Sequence, residues 1–253
     1  MYYGYDIDDK IIKLAESCEQ ELKDVFASYD QQCQSNSAKI LKSFQKHRLS
    51  SSDFVEVNGY GFYDGGRDKL ESVYADIFGA EDALVRPQIM CGTHAIALTF
   101  FGLLRHGDTM ISISGEPYDS LKSIVGICGN SQSSLIAHGV KYEQIDLKDD
   151  DFDINSIVNR LKQSKVKLVE IQRSRGYSYR KSLTIEKIER VCKAIREVDK
   201  DVIIMVDNCY GDLVEDKEPT QVGADIIVGS LMKNLGGGIA KTGGYIVGRK
   251  DLV

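Results

Sequence analysis

Apolar residues in this chain recur at two periods, and the two alternate along its length. Spacings of three and four put Ile7, Ile11, Leu14, Cys18, Leu22, Val25 and Tyr29 on one stripe and predict a helix over 6–29. A shorter helix is predicted over 38–48. The same period returns in Leu70, Val73, Tyr74, Ile77 and Phe78, closed by Gly79. It returns again over 95–104, over 154–161, and in Ile185, Ile188, Val191, Cys192 and Ile195. The last of these follows Thr184 as N-cap and carries Glu186 in its first turn, where the helix dipole favours an acid. Between the helices lie short runs rich in β-branched residues at 83–86, 109–113, 140–145, 166–171, 202–206, 224–228 and 243–248. Such runs, bounded by polar or glycine residues, read as buried strands. The alternation predicts an α/β fold, a mostly parallel sheet with helices on both faces. A helical arm over 1–52 precedes it, and one large domain fills 53–253.

Ligands of open α/β sheets sit outside the carboxyl ends of the strands, so the residues placed there carry the chemistry. Run 202–206 delivers Asp207; run 224–228 delivers Ser230 and, three residues on, Lys233. A lysine can form a Schiff base with an aldehyde, and a carboxylate can keep a pyridine nitrogen protonated, the pair that pyridoxal phosphate needs. Other parts follow in a workable order. Cys91-Gly92-Thr93-His94 opens a helix, and its backbone amides suit a phosphate. Tyr118, just past a strand end, could stack on a planar ring. Tyr210 follows Asp207 by three residues. The loop Asn58–Arg67 holds four glycines, the three rings of Tyr60, Phe62 and Tyr63, and Arg67, and its tyrosines and arginine could reach a phosphate or a carboxylate. His94 reads as a packed or capping residue.

Composition narrows the class. The 253 residues carry a net charge of −6 and no basic block, which argues against nucleic acid or an anionic membrane as partner. No apolar run approaches the roughly 20 residues of a membrane span. The first ten residues lack the pattern of a secretory signal, and a cytoplasmic location is expected. Six cysteines and four histidines show no metal-ligand spacing, so no metal is expected, and most of the cysteines read as small apolar residues. The run 235–242 fails as a P-loop, because Leu235 and Ala240 stand where its glycines belong. Neither GxGxxG nor GxSxG occurs where a nicotinamide enzyme or an α/β-hydrolase would need it.

The stretches GYGFYDGGRDKLESVYADIFGAEDALVRPQIMCGTHAIAL, ISGEPYDSL, RSRGYSYRKSLTI, VDNCYGDLVEDKEPTQVGADIIVGSLMKN and GGGIAKTGGYIVG cover most of 55–248. In them the chain resembles the fold-type-I pyridoxal-phosphate enzymes, in particular the methionine γ-lyase-like or cystathionine β-lyase-like family often labelled aluminium-resistance proteins. The resemblance implies pyridoxal 5′-phosphate as cofactor, bound by the domain over 53–253, and elimination from a sulfur-containing amino acid. It implies that Lys233 forms the Schiff base, Asp207 pairs with the pyridine nitrogen, Tyr118 stacks on the ring, and Gly92, Thr93 and Ser230 bind the phosphate. Tyr210 would contact the ring hydroxyl, and Tyr60 would reach the active site of a neighbouring subunit in a homodimer or homotetramer. There are departures. Met232 precedes the lysine where better-known lyases carry a hydroxyl residue, and Phe62 takes the arginine slot of their tyrosine-x-arginine clamp. Relatives continue into a small C-terminal domain with the arginine that holds the substrate carboxylate, and this chain is expected to be a fragment without it. The alternative is a non-catalytic binding or regulatory protein on the same fold.

Overall fold

A computed structural model describes residues 4–57, 60, 62 and 64–253. Its centre is a seven-stranded sheet ordered β1-β7-β6-β5-β4-β2-β3. The strands are β1 (Asp82–Arg86), β2 (Thr109–Ser112), β3 (Lys141–Gln144), β4 (Leu168–Gln172), β5 (Ile203–Asp207), β6 (Ile226–Ser230) and β7 (Gly244–Gly248). Each falls on an expected run, within two residues at either end. Of these seven strands β7 alone runs against the other six, pairing Asp82 with Gly248 on one side and Ser230 with Gly244 on the other.

Alternation along the strands sorts the core into two layers. Ile111, Val169, Ile171, Ile204, Val206, Ile227, Tyr245 and Val247 face α3 (Gly65–Phe78), α6 (Ile154–Gln163) and α7 (Ile185–Val198). Met110, Leu168, Ile203, Met205, Ile226, Val228 and Ile246 face α4 (Gly92–Leu103) and α5 (Asp119–Val125). Both faces are therefore covered, as helix–strand alternation requires. The α7 residues expected to be apolar are all buried, and the Thr184 hydroxyl accepts from the Lys187 amide at 3.4 Å. Gly79 ends α3 at φ +63°, a left-handed conformation that a side chain disfavours. Helix α5 has no counterpart in the expected elements.

The arm departs from expectation. It forms α1 (Asp9–Glu21) and a long α2 (Lys23–Lys46), broken at Leu22, where 6–29 and 38–48 were expected to be separate helices. No residue of α1 is buried, and the stripe Ile11, Leu14, Leu22, Val25 and Tyr29 stays exposed. The arm is held to the domain mainly through the far half of α2. There Asn36 Nδ2 donates to Leu213 O at 2.9 Å, Lys39 Nζ donates to Asp216 O at 2.8 Å, and Ile40 and Phe44 pack on the core. The cysteines also divide differently from expectation: Cys192 and Cys209 are buried, whereas Cys18, Cys33 and Cys128 are exposed. Among the described residues, no helix is long and apolar enough to cross a membrane.

Candidate active site

Strands β4, β5 and β6 run parallel and adjacent, so their carboxyl ends form one rim. Above it opens a cavity of about 720 Å³. Gly92, Thr93, Tyr118, Asp207, Tyr210, Ser230 and Lys233 all line it. Asp207 and Ser230 end their strands on the side that faces α4, with 2% and 1% exposure. The α4 N-terminus comes against the same rim. A Cβ added at Gly92 would lie 2.6 Å from Cys209 Sγ and 3.3 Å from Ser230 Cβ, so only glycine lets the helix approach so closely.

The side chains are fixed by neighbours. Thr93 Oγ1 and Tyr118 OH share a hydrogen bond of 2.6 Å, and the Tyr118 amide donates to Gln172 Oε1 at 2.9 Å. Burial raises the Tyr118 phenol well above the ordinary range, which keeps it protonated. Lys233 Nζ donates to Tyr210 OH. Asn234, the next residue, donates to Tyr210 O at 3.1 Å and Asp212 O at 3.0 Å, binding the lysine loop to the tyrosine loop. Tyr210 itself has φ +67°. Arg173 holds that loop from within, donating to Asn208 Oδ1, Gly211 O and Glu215 Oε1, each at 2.7 Å. His94 accepts from the Met90 amide through Nδ1 at 3.2 Å, which ties the first turn of α4 to the chain just before it.

Asp207 accepts from the Cys209 amide at 3.0 Å. Burial pushes its carboxyl above the usual range, against that hydrogen bond and the charge of Lys233. A desolvated carboxylate at a cavity wall calls for a cationic N–H, and a protonated pyridine ring supplies one. With a helix N-terminus for a phosphate, an aromatic face and an amine on the same cavity, the residues present fit pyridoxal phosphate. Gly92, Thr93 and Ser230 are suited to hold its phosphate, Asp207 its ring nitrogen, Tyr118 its face and Lys233 its aldehyde carbon.

Two residues of the glycine loop stand away from this cavity. Tyr60 is exposed and does not line the cavity, while Asn58, Gly59, Gly61 and Tyr63 of the same loop lie outside the described residues. Arg67 sits in the first turn of α3 and pairs with the buried Asp64. Conversely, the cavity wall includes residues that sequence reasoning passed over, among them Ser174, Arg175, Tyr177 and Cys209.

Glu170 was also passed over, although a charged residue inside an apolar strand was its signal. It is fully buried on β4, and its Oε2 lies 2.7 Å from Ser112 Oγ, which also reaches Gly115 O at 2.8 Å. The single Ser112 hydroxyl proton is offered to two acceptors, so Glu170 gets only a shared hydrogen bond in an otherwise desolvated position. Burial pushes the Glu170 pKa up to about 7; Ser112 opposes the shift, Asp207 adds to it and Arg180 opposes it. A folded-state pKa above the unfolded one gives stability that is present at low pH and lost as pH rises through about 7. Denaturant titrations should show the wild type losing about 2–3 kcal/mol more than Glu170→Gln between about pH 5 and pH 8. Parallel losses in the two proteins would mean that Glu170 is not the titrating group.

A family model described as methionine gamma-lyase matches residues 11–253. A Clostridium acetobutylicum protein, provisionally described as a cystathionine beta-lyase involved in aluminum resistance, has a crystal structure that is 50% identical with a TM-score of 0.95. The match covers 98% of this chain and 60% of that one. A carbon-sulfur lyase involved in aluminum resistance from Clostridium novyi NT is 45% identical with a TM-score of 0.93, over 98% of this chain and 59% of that one. The pyridoxal-5′-phosphate dependent protein YhfS of Escherichia coli shares the fold alone, with a TM-score of 0.67 at 17% identity over 88% of this chain and 56% of that one. The chain thus spans about three-fifths of the length of the two clostridial proteins.

Proposed function

This chain belongs to the methionine gamma-lyase family, and from that premise we propose that it is the cofactor-binding part of a pyridoxal-phosphate-dependent carbon–sulfur lyase acting on sulfur-containing amino acids. The observation that carries the reading is the meeting of Lys233, Asp207, Tyr118 and the α4 N-terminus on one cavity. When bound, the cofactor supplies an electron sink for the pair left behind as the substrate Cα loses its proton. The chain's own residues do the rest. Asp207 would hold the ring N–H and keep it protonated. The α4 amides with the Thr93 and Ser230 hydroxyls take the phosphate, where the helix dipole favours negative charge. Tyr118, pinned by Thr93 and Gln172, would stack on the ring. Lys233 Nζ would hold the cofactor aldehyde and, once freed by substrate, would serve as the base for the Cα proton. Tyr210 OH, which accepts a hydrogen bond from Nζ, would orient the amine. Tyr60 serves the cavity of a second copy.

The purified protein, supplied with pyridoxal phosphate, should release an α-keto acid and ammonia from cysteine, cystathionine or methionine. The sulfur product distinguishes β- from γ-elimination. Cofactor binding without release from any of the three would favour a binding protein instead.

A further inference from the structure

A second cavity, of about 420 Å³, adjoins the first beyond Tyr118. The two share Arg175, Gly176 and Tyr177 on the loop after β4, whereas Asp207 and Lys233 line only the first. Arg175 and Lys233 are the cationic side chains on the first cavity, and Lys233 is committed to the cofactor. Neighbouring cations are engaged. Arg180 donates to Gln172 O at 2.8 Å and Ser174 O at 2.6 Å, and Lys122 is paired with Glu116 at 2.9 Å and Asp119 at 3.3 Å. Arg175 has no ion pair and no side-chain hydrogen bond to another described residue.

Its backbone is nevertheless held. Ser178 donates to Arg175 O from its amide at 3.1 Å and from Oγ at 2.7 Å, and Gln172 Nε2 donates to Ser174 O at 3.1 Å. Gly176, at φ +58°, rests against Tyr118: a Cβ added there would lie 3.8 Å from Tyr118 Cβ. The loop thus leans on the tyrosine assigned to the cofactor ring and displays an unpaired guanidinium at the mouth between the cavities. Acids on the second wall have donors of their own, Asp146 from Gln144 Nε2 at 2.6 Å and Asp150 from the Lys181 amide at 3.2 Å.

We infer that Arg175 and the adjoining cavity form a subsite for a carboxylate on the leaving-group side of the substrate, distal to the carbon that reacts. The inference rests on the lyase reading for its substrate class. A guanidinium matches a carboxylate with two parallel hydrogen bonds, and the cofactor phosphate already has its seat at α4. A substrate α-carboxylate is attached to the carbon that Lys233 must reach. The second cavity leads away from Lys233, where only the distal end of the substrate extends.

The test compares S-carboxymethyl-L-cysteine with S-ethyl-L-cysteine on the cofactor-loaded protein, by calorimetric binding and by keto-acid release. The wild type should prefer the carboxymethyl probe by about 10-fold, the worth of one partly solvated ion pair. Arg175→Gln should remove that preference, raising KM for the carboxymethyl probe about 10-fold more than for the ethyl probe, and Arg175→Lys should restore part of it. Circular dichroism shows whether each variant is folded. No preference in the wild type, or equal weakening of both probes in Arg175→Gln, would overturn the subsite; equal weakening would place Arg175 on the α-carboxylate. Should the binding preference appear and vanish as expected while no probe is turned over, the subsite stands and the lyase reading falls.

Discussion

Lys233→Ala abolishes the absorption band near about 420 nm that a lysine-bound cofactor gives, and with it the fixation of the cofactor by borohydride. Turnover falls by at least about 1,000-fold, because both the attachment point and the base at Cα are lost together. Lysine 233 is the only amine on the cavity among the described residues, so no neighbour can take over. The variant should still bind pyridoxal phosphate, weakly, through the α4 turn, Asp207 and Tyr118, which the substitution leaves in place. Added methylamine would then restore part of the activity by standing in for the missing base. A spectrum like that of the wild type, with full turnover, would dismiss Lys233 and the reading built on it.

Asp207→Asn separates function from stability. An amide cannot hold a proton on the ring nitrogen, so the electron sink is lost and turnover should fall by about 100- to 1,000-fold. The cofactor-free protein responds in the opposite sense. Burial raises the folded-state pKa of Asp207. The folded chain therefore holds that proton more tightly than the unfolded chain, and the stability due to it is lost as pH rises through the raised pKa. At neutral pH a desolvated carboxylate is a cost that asparagine avoids. Without cofactor, Asp207→Asn should be more stable by on the order of 1 kcal/mol, or about 2–4 °C in Tm. Cofactor should then stabilise the wild type more than the variant, as scanning calorimetry with and without pyridoxal phosphate would show. A variant that is less stable without cofactor and equally active with it would remove Asp207 from the site.

The parts of the site that were legible in the sequence are those tied to strand ends. Asp207 and Ser230 follow from where apolar runs stop, and Lys233 from its distance to the second run. Their meeting needed β5 and β6 to be neighbours, which the structure shows. The direction of β7 was not legible, since a buried run reads the same in either sense. Helix α5 escaped because its seven residues bury only Leu121 and Val125, too little for a period to emerge. The apolar stripe of the arm was visible, but not the break at Leu22, where no glycine or proline marks it. Glu170 and Arg175 were missed for opposite reasons. The first hid inside an apolar strand, and the second lies in a loop, where spacing carries no information about which way a side chain turns.

Strand β7 has a consequence for synthesis. It joins β1 to β6, yet of these seven strands it is made last and β1 first. Until Gly244–Gly248 has emerged, β1 with α3 has no edge to dock on, and the flank of β6 lies open. Pairings so distant in sequence form slowly, and nascent chains with unpaired edges invite aggregation. Chaperone dependence during translation should accordingly be greater before Gly244–Gly248 has emerged than after it.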